Sequence, residues 1–164
     1  FLVWKLSYHL YLSPNKIIDL PLTNLTAKST TFFLRLFDNN NSITWQAGIL
    51  PPSNEFYKAI ILLNGKRALG IADPCNALEL FVLFIGYLIC FPSSIKRFIK
   101  FTIIGILLIF LLNIVRCSCM FWLNVYNDTW FHFAHHYAFK LIVYSVIFTG
   151  WYWYSNESSL NGKV

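Results

Sequence analysis

A thiol, a guanidinium and a cluster of imidazoles stand near the ends of apolar segments in this chain. Cys75 lies in ADPCNALEL, Arg116 in LLNIVRCSCM, and His132, His135 and His136 in WFHFAHHYAFK. Together these groups suffice for acyl transfer. A thiolate attacks an amide carbonyl, a fixed cation steadies the oxyanion that forms, and an imidazole gives the leaving amine its proton. Asp73 is a good N-cap and Pro74 suits the first position of a helix. Cys75 is therefore expected in a first turn, where the positive end of the helix dipole favours thiolate over thiol. Asp73 opposes that effect, so a nearby cation is needed, and Arg116 or a charged histidine would supply it.

Three polar residues accompany this set. Glu79 is four residues after Cys75 and shares its helical face, while Asn113 is three before Arg116 and shares that one. Asn76 adjoins the thiol. A carboxylate one turn into an apolar helix is costly and turns toward a bundle interior or a wet cavity. Asn76, Glu79 and Asn113 are accordingly candidates for contact with substrate.

Each feature also has a plainer reading. Cys75 can be a small packed residue, Arg116 can snorkel to lipid headgroups, and the histidines can anchor a helix at an interface. Cys117 and Cys119, together with the histidines, raise a metal site as a second alternative. No HExxH occurs, and Cys-x-Cys with scattered histidines is a loose metal pattern, so no metal or other cofactor is assigned.

The elements that must position these groups are those of a membrane protein. Of 164 residues, 57% are hydrophobic, 19% aromatic and only 12% charged, and mean hydropathy is +0.54. Soluble domains carry about 25% charged residues. The net charge of +6 therefore reports membrane topology first, and nucleic acid is not the expected partner. The chain opens on Phe1, and we expect an upstream piece. Residues 1–12 read as the end of a clipped membrane helix and 13–20 as a turn. Residues 22–37 have apolar positions at Leu22, Leu25, Phe32, Phe33, Leu36 and Phe37, the spacing of an amphipathic helix lying on the membrane. A loop follows at 38–42. Asn64-Gly65, between two short apolar runs in 58–72, signals a β-hairpin that delivers the chain to Cys75. Three apolar helices are expected at about 75–91, 98–116 and 133–153.

Lys96, Arg97 and Lys100 fall between the first two, and short basic loops stay in the cytoplasm. Alternating direction then brings Cys75, Arg116 and His135-His136 to one outer face, with the polar tail inside. The expected fold is an all-α integral membrane protein. It is a single domain over 1–164, a multi-pass bundle of three complete helices and a clipped one, with an outer amphipathic helix and a small hairpin.

With Cys, Arg and His in this order at one membrane face, the chain resembles the exosortase/archaeosortase family, and most closely its short exosortase-like members. The resemblance rests on ADPCNALEL, with Ala77 where glycine is expected, on NIVR from Asn113 to Arg116, and on HHYAFKLIVYSVIF. It covers roughly 55–153. It implies a plasma-membrane cysteine transpeptidase acting at the outer face without a cofactor. Its partners would be exported proteins that end in a short motif, a transmembrane helix and a basic tail. The new carboxyl end would pass to a surface acceptor. It further implies Cys75 as nucleophile, Arg116 as transition-state stabiliser and His136 as acid and base. A non-enzymatic membrane assembly factor, or a His/Cys metal-binding membrane protein, is the competing reading.

The histidine doublet is the least determined part of this pattern. Adjacent positions on a helix point about 100° apart, so only one imidazole can face the thiol. His136 shares a stripe with His132 and Lys140 and is the expected one. Alanine at His136 should abolish processing of a sorting signal while alanine at His135 should not. The reverse result would move the role by one residue, and two active variants would end the Cys–His scheme.

Overall fold

The computed structural model describes residues 18–38, 42–48, 58–72, 75–91, 94–126 and 139–161. The first helix, α1, is Asp19–Arg35, three residues earlier than the sequence pattern suggests. Proline is tolerated in a first turn, so Pro21 does not delay the start, and Asp19 suits the positive end of the helix dipole. Its buried side is largely polar, with Asp19, Thr23, Thr26, Thr30 and Thr31 beside Ala27 and Leu34. Leu25 and Phe32, and Leu36 and Phe37 just beyond its end, are exposed. That is the inverse of a helix on a water-bathed core and suits a lipid surround.

The side-chain Nε of Arg35 donates to the Ile43 carbonyl at 2.7 Å, fastening α1 to a three-stranded antiparallel sheet. The strands are β1 (Ile43–Gln46), β2 (Lys58–Leu63) and β3 (Lys66–Ala72), in that spatial order. The hairpin expected at Asn64-Gly65 joins β2 to β3. Both turn residues have positive φ, 51° and 77°, as a two-residue hairpin requires. The third strand, β1, was not legible in the sequence, because four residues carry too short an alternation. Ile61 pairs with Leu69 and Leu62 with Arg67, so Ala68 is bulged. Its carbonyl accepts a hydrogen bond from the Asn124 side chain.

Three further helices follow, α2 (Leu78–Cys90), α3 (Ile95–Tyr126) and α4 (Phe139–Asn161). Their limits correct several expectations. Cys75 precedes α2 instead of opening it. Lys96, Arg97 and Lys100 lie in the first turns of α3, not in a loop. Arg116 is ten residues inside α3, not at its end. The tail expected to be merely polar continues α4 to Asn161. Among the described residues α3 is the one helix long and apolar enough to cross a membrane, with a mean hydropathy of 2.6 over its most apolar window. At 13 residues, α2 is shorter.

The interior has two centres. One gathers Ala27 and Leu34 of α1, Ile43, Ala59, Ile61, Ala68 and Ile71 of the sheet, and Cys117 and Phe121 of α3. The other gathers Phe84 and Leu88 of α2, Ile109 of α3, and Val143, Ile147 and Tyr154 of α4. Tyr154 is fully buried, and its hydroxyl donates to the Leu88 carbonyl at 3.3 Å. Arg97 donates to the Tyr154 carbonyl and lies over its ring. Phe84 wedges between two glycines. A Cβ on Gly105 would sit 2.0 Å from the Phe84 ring, and one on Gly150 would sit 3.2 Å from it. A ring cannot yield that far in a packed interior, and overpacking costs about 1–3 kcal/mol. Gly105→Val should therefore lower the melting temperature in detergent markedly and Gly150→Ala only slightly. Equal stability of the two variants would contradict this packing.

Candidate functional site

Cys75 sits where the two interior centres meet. Its side chain is half-buried and packs against the α1–sheet–α3 cluster, while Ala77, two residues on, belongs to the α2–α3–α4 cluster. The chain therefore bends sharply between them. Ala77 takes a left-handed conformation, φ +67° and ψ 6°, and α2 begins immediately after it. The amides of Leu80 and Phe81 both bond to its carbonyl at 3.1 Å. An L-residue in that region costs roughly 1–2 kcal/mol, so side chains must hold the bend.

Two asparagines do so. The Asn113 amide donates to the Cys75 carbonyl at 2.9 Å. Asn76 accepts from the Leu78 backbone amide through Oδ1 at 3.0 Å. Its Nδ2 donates to Asp19 Oδ1 at 3.0 Å and lies 3.4 Å from Thr23 Oγ1. Asn76 and Asn113 are each 2% exposed. The sequence makes both candidates for contact with substrate, and in the structure their amides bond to the protein's own backbone and side chains.

Arg116 faces the thiol, with Nη2 3.8 Å from Cys75 Sγ. Because α3 continues ten residues past it, this guanidinium is held beside the cysteine loop instead of trailing from a helix end. Asn113 and Cys117, four residues apart and both buried on α3, bracket Arg116 on the same inward side. The cation expected near Cys75 is thus present. The thiol stands before α2 instead of in its first turn.

Glu79 is exposed in the first turn of α2 and does not join this group. His132, His135 and His136 lie outside the described residues, as do Asp73 and Pro74. Cys117 is buried and Cys119 exposed, so the Cys-x-Cys pair points two ways. Among the described residues no three His, Cys, Asp or Glu side chains cluster as metal ligands do.

Asp19 was missed in the sequence, where it read as a turn residue. Its signal was nonetheless present. Asp19, Thr23, Thr26, Ala27, Thr30 and Thr31 repeat at helical spacing, a small and polar stripe opposite Leu25 and Phe32, and such a stripe turns inward in an apolar surround.

A helix long and apolar enough to cross a membrane, joined to a small sheet, thus carries a guanidinium beside the Cys75 thiol. The sequence profile of the transmembrane exosortase family matches residues 2–153. The chain belongs to that family. No curated protein and no solved structure matches it.

Family membership also frames Ala77, which stands where glycine was expected. Glycine enters the left-handed region without strain. Ala77→Gly should therefore hold or raise the melting temperature, whereas the same change inside a helix costs about 0.5–1 kcal/mol. Ala77→Val should lower it, since β-branching resists positive φ. A clear loss of stability with glycine would sink the strain argument.

Proposed function

We propose that the protein is a membrane-embedded cysteine endopeptidase and transpeptidase. It cuts the C-terminal sorting signal of exported proteins and passes the new carboxyl end to an acceptor. The observation that carries this reading is the 3.8 Å approach of Arg116 to the Cys75 sulfur in a chain of the exosortase family.

In this scheme the Cys75 thiolate attacks the scissile carbonyl and forms a carbon–sulfur bond. The Arg116 guanidinium, beside the sulfur, donates to the carbonyl oxygen as it gains charge. His136, as imidazolium, gives its proton to the leaving nitrogen, and the carbon–nitrogen bond breaks. The downstream helix and basic tail depart, leaving a thioester. An acceptor amine or a water then attacks that thioester, losing its proton to His136, and Cys75 leaves as thiolate. Asn76 and Asn113 serve this chemistry by holding the loop. Glu79, exposed near the same end, is available to a bound substrate.

The distribution of apolar surface supports a site at the membrane boundary. Along α3, exposed large apolar side chains run from Ile95 through Ile99, Ile103, Ile104, Leu107, Leu108 and Leu111 to Val115. That stretch rises about 30 Å, the thickness of a hydrocarbon core. It stops one residue before Arg116. Lys96, Arg97 and Lys100 mark its opposite end, and basic residues favour the cytoplasm. The proposed arrangement is a multi-pass protein of the plasma membrane, a single domain in which α2 and α4 pack beside α3 and Cys75 opens to the outer face. A substrate anchored by its own helix would meet the thiol at that level. An apolar surround would limit water and favour transfer over hydrolysis.

Cys75→Ala should abolish processing of a sorting-signal substrate while the protein still accumulates in the membrane. Arg116→Lys should cost on the order of 10²–10³ in rate, because a point charge replaces a planar fork poorly. Unimpaired processing by the alanine variant would overturn the scheme. Near-normal turnover of the lysine variant would return Arg116 to a headgroup role.

A further inference from the structure

The bend that presents Cys75 is anchored from a distance of more than fifty residues. Asp19 is 1% exposed, Asn76 2% and Thr23 fully buried, and Asp19 Oδ1 accepts from Asn76 Nδ2 at 3.0 Å. This contact fixes the amide's orientation. The Asp19 oxygen here accepts from Nδ2, and the Leu78 backbone amide only donates. With Nδ2 toward Asp19 and Oδ1 toward Leu78 N, both demands are met. Turning the amide over would set oxygen against oxygen on one side and donor against donor on the other. The left-handed Ala77 lies between Asn76 and the Leu78 amide that the Asn76 side chain accepts from. Holding Asn76 in one orientation therefore holds the reversal at Ala77 and, with Asn113, the position of Cys75.

We infer that Asp19 is a positioning residue for this site: by orienting Asn76 it locks the Ala77 bend that sets the Cys75 thiol against Arg116. The inference rests on the proposed nucleophilic role of Cys75 for its effect on processing, but not for its effect on the thiol itself. Asp19 comes from the first turn of α1. Thr23, one turn on, lies 3.4 Å from the same Asn76 nitrogen and is a weaker neighbour at that distance. The carboxylate is therefore the main anchor. Through it, α1 carries one wall of the site as well as part of a core.

The test compares Asp19→Ala, Asp19→Asn and Asn76→Ala in the full chain in membranes. Two rates are read for each variant: alkylation of Cys75 by iodoacetamide, followed at the peptide by mass spectrometry, and processing of a sorting-signal substrate. Asp19→Ala should lower kcat by about 10²-fold, the scale of an ångström's misplacement, with KM little changed, and should alter the alkylation rate. Asp19→Asn keeps an acceptor oxygen and should recover most of both rates. Asn76→Ala should match Asp19→Ala, and the double variant should be no worse than either. Wild-type kcat and alkylation in Asp19→Ala would overturn the inference, as would an asparagine variant as damaged as the alanine one. Should Asp19→Ala not accumulate, Asp19→Asn decides, since it folds under either reading and only positioning predicts recovery. If the wild-type protein alkylates but processes no signal, the proposed function fails while the alkylation arm still judges Asp19.

Discussion

An irregular backbone beside an apolar bundle must place its polar groups inside the protein, because lipid offers them nothing. An unmet backbone group there costs several kcal/mol. The segment from Cys75 to Leu78 is such a stretch, and its solution organises the site. The Cys75 carbonyl is met by Asn113 and the Leu78 amide by Asn76. Each asparagine comes with its own structural commitment. Asn113 requires that α3 pass beside the loop, and Asn76 requires a buried acceptor on α1. Three elements far apart in sequence are thereby fixed around one thiol.

The two interior centres make sense on the same terms. Below the loop, α2, α3 and α4 pack through a large ring set on glycine, a contact that needs close approach and no polar partner. Above it, α1 and the sheet pack on the continuation of α3, where Asp19, Thr23 and Thr26 are buried with partners. Helix α3 belongs to both and holds their spacing. The thiol sits at the seam, where the surround changes from apolar to mixed.

Much of this was legible in the sequence where the signal was local. Asn-Gly between apolar runs specifies a two-residue hairpin, and the hairpin is there. The three-residue spacing of Asn113 and Arg116 puts both on one side of a helix, and both reach Cys75. What was not legible depended on distance or on sign. A first-turn position for Cys75 followed from Asp73-Pro74, but the start of α2 is set by the bend at Ala77, and no local rule favours a left-handed alanine. Arg116 read as a helix end because the apolar run fades there. The helix continues because α1 and the sheet cover its next three turns. Asp19 was lost because it read as part of a turn at 13–20, whereas α1 begins there. With lipid outside, the stripe of threonines is the inward face.

The pairing of Arg116 with Cys75 closes the argument on cost. A guanidinium at the edge of a hydrocarbon layer is expensive unless it reaches water or a counter-charge. Arg116 is only half-buried, so it keeps some hydration, yet its Nη2 is turned to sulfur at 3.8 Å. In the proposed scheme that approach is what lets the guanidinium reach an oxyanion formed beside the sulfur. The asparagine clamps hold the loop that carries the sulfur at that distance. A residue that touches only the loop can therefore act on where the sulfur stands against Arg116.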